Sequence, residues 1–233
     1  MRIRSLLRAV LAAGLVAAPA LAHAATLYSN DFSSNTNGFT GTTTLLPSAG
    51  AAGQFLGPLT LGDTATLTVN TAGYSSVTLN FDLYALNSLD GDGTSDCCGP
   101  DYFDLNVNGA TSLLHATFAN PSGWTQSYGG AGSPGGTGSD PALTGTLGYY
   151  EYFGPDHTYH LSFTTTVSGD STAFNFIGNS NQGWSDEGFG LDNVTVTGDR
   201  VSAVPLPSSL PLFGTVVLAL FGLAGRRTRS GLA

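Results

Sequence analysis

The sequence predicts an all-β protein, an antiparallel β-sandwich that is jelly-roll-like, and three observations predict it. Apolar and polar residues alternate with period two in several segments, Gly, Asn, Asp and Pro fill the gaps, and no stretch between residues 25 and 200 sustains a 3.6-residue period. Residues 76–85 alternate most clearly, with Val77, Leu79, Phe81 and Leu83 set against Thr78, Asn80, Asp82 and Tyr84. Alternate side chains stand on opposite faces of a strand, so such a segment buries one face and wets the other. The pattern recurs in 103–107, 159–167 and 173–177, and more weakly in 26–32, 65–69, 113–118, 149–153 and 191–197. Roughly nine short strands with one-sided burial close best as two packed sheets. Repeats of fixed period are absent, which argues against a solenoid or propeller.

The two ends carry hydrophobicity of a different kind. Arg2, Arg4 and Arg8 precede an apolar run at 9–18 and the small-residue site Ala22-His23-Ala24. Residues 1–24 therefore read as a secretory signal peptide, leaving Ala25 as the mature start. At the other end, residues 201–233 open with Val204, Pro205, Leu206 and Pro207 and close on Arg226, Arg227 and Arg229. No charged residue lies between Arg200 and Arg226. A helix over about 208–225 would approach the roughly 20 residues that cross a bilayer core of about 30 Å, and its basic flank would stay cytoplasmic. Residues 25–200 remain as one exported domain, long enough for a single well-buried core.

A proline-rich motif, a short apolar helix and a basic terminus together resemble the PEP-CTERM sorting signal of Gram-negative bacteria. The resemblance implies an exosortase-type processing enzyme as partner, transient residence in the inner membrane, and delivery to the cell surface or an exopolysaccharide matrix such as a biofilm. Leu206 stands where that family usually has Glu. An ordinary C-terminal membrane anchor is the plainer reading of the same residues.

All sixteen acidic residues fall between Asp31 and Asp199, where the only base is Arg200, and the chain has no lysine. Such a surface repels phosphates, so nucleic-acid binding is excluded as a function. Without basic partners, the carboxylates must be solvated, hydrogen-bonded or metal-bound.

Residues 88–104 place Asp90, Asp92, Asp96, Asp101 and Asp104 in one loop between two strands. Two like charges 5 Å apart repel by roughly 0.8 kcal/mol even in bulk water, and by more near a protein surface. A hard divalent cation would relieve five of them, and calcium, with its flexible shell of oxygen ligands, suits such a set. The alternative is a solvated acidic turn. Asp90-Gly91-Asp92 resembles the start of an EF-hand loop, but Ser95 replaces its turn glycine and Asp101 its bidentate Glu, which excludes that motif. Cys97 and Cys98, the only cysteines, lie in the same loop and would be exported to an oxidising compartment. A vicinal disulfide, an intermolecular crosslink and a thiolate metal site are the readings open to them.

Residues 120–140 are rich in Gly and Ser and show no strand pattern, which marks a functional or flexible loop. Trp124 and Tyr128 in it are candidates to stack on sugar rings, with Trp184 of a third stretch (178–197) as another. Capping of the core is the plain alternative. Gly190-Leu-Asp-Asn-Val, with Asn30-Asp31-Phe32 and Gly99-Pro-Asp-Tyr-Phe, resembles jelly-roll domains of secreted bacterial proteins, some of them carbohydrate-binding. That resemblance implies a structural calcium shared by the first and last strands, with Asp31 and Asp192 as ligands and Asp186 and Glu187 nearby.

Enzymatic signals are weak. Glu151 and Glu187 are the only glutamates, and nothing in their spacing sets the two flanking carboxylates of a glycosidase. Ser185 lacks the final Gly of a nucleophile elbow. His157 and His160, three apart in a strand, would point to opposite faces, and His115 stands alone. The function expected is therefore non-enzymatic: a calcium-stabilised sandwich acting in binding or matrix structure, with exopolysaccharide as partner. A secreted polysaccharide hydrolase or lyase and a protein adhesin without glycan binding are the alternatives.

Overall fold

A computed structural model describes residues 24–48, 53–93, 98–149 and 154–200. Residues 1–23 of the expected signal peptide (1–24), the expected sorting tail (201–233), Asp96, Cys97 and Glu151 lie outside the described residues. Among the described residues no helix is long and apolar enough to cross a membrane.

In chain order the strands are β1 (Ala25–Asn30), β2 (Phe39–Gly41), β3 (Leu45–Pro47), β4 (Gln54–Leu59), β5 (Asp63–Asn70), β6 (Tyr74–Asn87) and β7 (Tyr102–Val107). There follow β8 (Thr111–Thr117), β9 (Thr125–Gln126), β10 (Ser133–Pro134), β11 (His157–Thr166), β12 (Ser171–Asn179) and β13 (Glu187–Arg200). One sheet runs β11-β6-β13-β4-β3, and β1 joins it by pairing with β13. The second runs β2-β5-β12-β7-β8, and β9 with β10 forms a separate short ribbon. All pairings between the strands are antiparallel. The molecule is an antiparallel β-sandwich.

The alternation in β6 does what its sequence implies. Val77, Leu79, Phe81, Leu83 and Ala85 are buried between the sheets, against Leu67 of β5, Phe103 and Leu105 of β7, Phe174 and Phe176 of β12, and Phe189 and Leu191 of β13. A second, smaller cluster of Phe55, Tyr84, Leu86 and Leu147 covers part of the outer face of the six-stranded sheet. In β13 the buried positions shift phase between Leu191 and Val194. A bulge there sets Asp192 and Thr195 against Asp82 and Asn80, with Asn193 at φ 49°. The extra residue returns Val194 and Val196 to the core side.

The sequence pattern does not anticipate β2, β3, β4, β9 or β10. In β4, Gly57 and Pro58 read as punctuation, yet Phe55, Leu56 and Leu59 are fully buried and pair with β13 and β3. Burial and pairing override local preference here. Residues 149–153 were expected as a strand; Tyr149 lies in none, and the remainder is outside the described residues. The Gly/Ser-rich segment is held by one buried amide. Gln126 accepts from the Ala119 N–H and donates to the carbonyls of Tyr128 and Thr137.

Asn120 ties that segment to the sandwich end. Its Oδ1 accepts from Leu89 N–H at 3.1 Å, and its Nδ2 donates to the carbonyls of Ala85 and Pro155 at 2.9 Å each. The side chain is buried, so Asn120→Ala would leave backbone groups unpaired. We expect a loss of about 1–3 kcal/mol in unfolding free energy, measured by urea titration with an unchanged m-value.

Candidate functional site

Three segments converge at one end of the sandwich: the chain leaving β6, the chain entering β7, and the first residue of β13. Asp90, just after β6, forms an isolated bridge with Ala119. Gly91, at φ 62°, follows it, and a Cβ there would lie 2.2 Å from the Thr125 carbonyl oxygen. Asp101 N–H donates to the Gly91 carbonyl at 3.0 Å, which returns the loop to the same place before β7 begins. Glu187 pairs with Asn87 at the far end of β6, and its N–H donates to the Gly183 carbonyl at 2.9 Å.

Asp90, Asp101 and Glu187 thereby come together, each offering an oxygen within 4.8 Å of the others. Glu187 and Asp101 are 0% exposed and Asp90 9%. Asp101 accepts from Asp90 N–H at 2.6 Å and Asn181 N–H at 3.1 Å. Glu187 Oε2 accepts from Gln182 N–H at 3.1 Å, while Oε1 is buried without a hydrogen-bond partner. Burial, with the negative charges of Asp101 and Asp186 beside it, pushes the Asp90 carboxyl up to about 6. Burial raises Asp101 too, against the opposing pull of the Asn181 and Asp90 N–H groups. Glu187 is raised far above the carboxylate range, first by burial and then by the charge of Asp101.

Outside this cluster lies a small cleft of about 160 Å³ lined by Ser88, Asp90, Cys98, Trp124, Gln182 and Asp186. Trp124 is half-buried and is held in a turn by its N–H to the Pro121 carbonyl and by Gly135 N–H to its own carbonyl. Asp186 accepts from the Ser88 hydroxyl at 2.7 Å. Cys98 is disulfide-bonded. A larger polar groove of about 430 Å³ lies along Tyr28, Ser29, Asn30, Asp31, Asn35 and Asn37. Its donors and acceptors are largely spent on one another, as with Tyr28 Oη to the Asn37 carbonyl and Asn30 Oδ1 from Phe32 N–H.

The acidic loop does not act as one set. Asp92 accepts from the Thr117 hydroxyl at 2.5 Å. Asp104 lies 2.5 Å from His115 Nδ1 and accepts from Asn179 Nδ2 at 2.7 Å. Of the loop's described aspartates only Asp90 and Asp101 converge, and Glu187 completes the group. The sequence separates Glu187 from Asp101 by six strands, β7 to β12. The one signal that brings them together is the pairing of β13 with β6.

Asp31 and Asp192 belong to a second acidic region on the outer face of the six-stranded sheet. Asp31 is exposed and accepts from Ser33 N–H, which lowers its pKa. Asp192 accepts from the Tyr84 hydroxyl at 2.8 Å and is pushed up to about 6 by burial, with Asp82 and Asp31 adding to the rise. Beside them, His160 lies 2.5 Å from Asp82 and 3.2 Å from Asp140, and those partners raise its pKa. His157 is buried and its pKa is lowered by that burial, whereas His160 is exposed. Ser185 is exposed too.

The aromatic candidates separate. Tyr128 stacks on Phe118 with centroids 4.9 Å apart and meets Tyr159 edge-on at 5.2 Å, against the main core. Trp184 lies against Tyr149 at 5.4 Å and packs on the outer cluster. Trp124 alone of the three lines the loop-end cleft.

No protein-family model and no curated protein matches the chain. Among solved structures, a family 35 carbohydrate binding module from an environmental isolate is 13% identical, with a TM-score of 0.41 over 77% of this chain and 99% of that one. A family 35 module from Clostridium thermocellum is 13% identical at a TM-score of 0.35, over 69% and 93%. An exo-β-1,3-galactanase from Phanerochaete chrysosporium is 18% identical at 0.34, over 74% of this chain but only 29% of the galactanase. At such identities and scores these likenesses carry no argument about function.

The raised carboxyls give the protein, with no divalent cation added, a pH dependence of definite sign. Glu187 and Asp90 bind protons more tightly in the folded chain than in the unfolded one. Their contribution is whole below the unfolded carboxylate pKa and is lost as pH climbs toward the folded values. In excess chelator, the melting temperature should fall between about pH 5 and pH 8, and Glu187→Gln should flatten that fall. Calorimetric scans of both proteins at three pH values measure the difference.

Proposed function

We propose that this chain is an exported surface or matrix protein whose jelly-roll-like sandwich binds a glycan at the loop end. The observation that carries the reading is the position of Trp124, which walls a cleft together with Ser88, Asp90, Gln182 and Asp186. An indole face matches the apolar C–H face of a sugar ring. The carboxylates accept hydrogen bonds from hydroxyls, and the Gln182 amide both donates and accepts. The cleft is smaller than the roughly 300–1,000 Å³ of sites that enclose drug-sized ligands. It suits one ring, at a chain end or a branch.

Export rests on the sequence: the signal-peptide layout of residues 1–24 and the PEP-CTERM-like tail at 201–233. Together they favour processing by an exosortase-type enzyme and exopolysaccharide as the physiological partner. Mature termini read by mass spectrometry, in cells with and without an exosortase, test that half. Loss of the tail only where the enzyme is present is the expected result.

The hydrolase reading keeps one observation. Asp90, pushed up to about 6 by burial, lines the cleft together with Asp186, and a glycosidase needs two carboxyl groups flanking the bond it cleaves.

Binding of native exopolysaccharide by wild type and Trp124→Ala tests the glycan site. We expect the variant to bind at least about tenfold more weakly, equivalent to ~1.4 kcal/mol, with an unchanged melting temperature. Equal binding would retire the site. Release of new reducing ends by wild type, abolished in Asp186→Asn, would replace binding with hydrolysis.

A further inference from the structure

The carboxylates behind the cleft are not explained by glycan binding. Asp101 and Glu187 are wholly buried, so no sugar ring reaches them. Buried carboxylates ordinarily lie against Arg, Lys or a full set of N–H donors. Here the chain has no lysine, and Arg200, the only arginine among the described residues, lies over the Tyr74 ring at the opposite end of β6 and β13. The Asp101 oxygens have backbone N–H partners. Glu187 Oε1 has none, although it is buried beside two other carboxylates whose oxygens stand within 4.8 Å.

Three oxygens at that spacing, one of them without a donor, describe a cation site. The donor set is all oxygen, and Cys98 at the cleft is disulfide-bonded and offers no thiolate. Such a set selects a hard ion over zinc or copper. Calcium accepts mixed protein and water oxygens in a flexible shell, whereas magnesium demands near-octahedral geometry and keeps its water. We propose that Asp90, Asp101 and Glu187 together hold one calcium ion, with Glu187 Oε1 among its ligands. The site is distinct from the pair formed by Asp31, just after β1, and Asp192 of β13, and it stands whether or not the cleft binds a glycan. The ion joins the exit of β6, the entry of β7 and the start of β13, and so fixes the loop that builds the cleft.

Calorimetric titration of calcium chloride into the chelator-stripped mature protein tests this directly. We expect binding with one ion per chain, a rise in melting temperature on loading, and weaker binding of magnesium at matched concentration. Glu187→Gln is nearly isosteric and should weaken calcium binding at least about a hundredfold. Asp90→Asn, at the less buried end of the cluster, should do the same and serves if the first variant fails to fold. Absence of both binding heat and melting shift in wild type would overturn the proposal. So would a folded Glu187→Gln protein that binds calcium as wild type does, or calcium uptake abolished by Asp192→Asn and retained in Glu187→Gln.

Discussion

The antiparallel pairing of β6 with β13 runs from Tyr74 opposite Arg200 to Asn87 opposite Glu187, and the loop end of the molecule depends on it. In an antiparallel pair the last residues of one strand meet the first residues of the other. Glu187 opens β13 and must therefore stand where β6 ends, three residues before Asp90. Asp101 arrives from the opposite sheet, one residue before β7. The cluster thus bridges the two layers at their rim, where the core of phenylalanines stops. A slip of one residue in this register would turn every core side chain of β13 outward, so burial of Phe189 and Leu191 also sets the position of Glu187. The bulge at Asn193 serves the same end. It absorbs the phase break between Leu191 and Val194 and lets both halves of β13 pair with β6.

A segment with sixteen acidic residues, one arginine and no lysine has to settle its carboxylates almost without permanently charged basic partners. Most do so through ordinary donors. Asp156 is buried and accepts from the N–H groups of Leu147 and Tyr149. Asp63 takes the Thr60 N–H, Asp92 the Thr117 hydroxyl, and Asp82 the amide of Asn193 together with His160. These arrangements use backbone amides, hydroxyls and imidazoles in place of lysine, and each gives a carboxylate at least one hydrogen bond in its charged form. Glu187 departs from that pattern. One of its oxygens has a single amide donor and the other has none, in a site too enclosed for bulk water. An all-carboxylate cluster with an unspent oxygen is where this chain's shortage of basic residues is left unresolved by its own side chains.

Legibility in the sequence follows the range of the interaction. Period-two burial is a local property, so β6, β7, β11 and β12 could be read from alternation alone, and with them the sandwich. β4 could not, because Gly57 and Pro58 mimic a turn and only pairing with β13 on one side and β3 on the other makes the segment a strand. The short ribbon of β9 and β10 owes its form to the Gln126 amide, whose partners are invisible in composition. At the candidate site, the density of aspartates in 88–104 drew attention to the loop that supplies two of the three clustered carboxylates. It could not separate Asp90 and Asp101 from Asp92 and Asp104, because those two are claimed by Thr117, His115 and Asn179, side chains on other segments. Glu187 was legible as an unusual residue, one of two glutamates, but its association with Asp101 exists only after the sheet forms.

The aromatic residues favour the loop end over the broad sheet face as the place for the proposed recognition. A stacking surface has to leave one ring face free. Tyr128 gives its faces to Phe118 and Tyr159, and Trp184 is occupied by Tyr149 and the cluster around Phe55. Trp124 lies in a turn beyond the core and keeps a side toward the cleft. Asp90 belongs both to that cleft and to the carboxylate cluster behind it. A cation held by the cluster would draw on the same carboxylate that a sugar hydroxyl would meet in front. Occupancy of either place would therefore change the free energy of filling the other, and by linkage the effect would be reciprocal. Its sign depends on whether the ion orders the Asp90 loop more than it withdraws the Asp90 oxygens from the sugar. The short tether from Asp90 through Gly91 to Asp101 favours the ordering effect, because the ion would fasten a loop whose return to β7 rests on the Asp101 N–H bond to Gly91 and the Asn181 amide bond to Gly99.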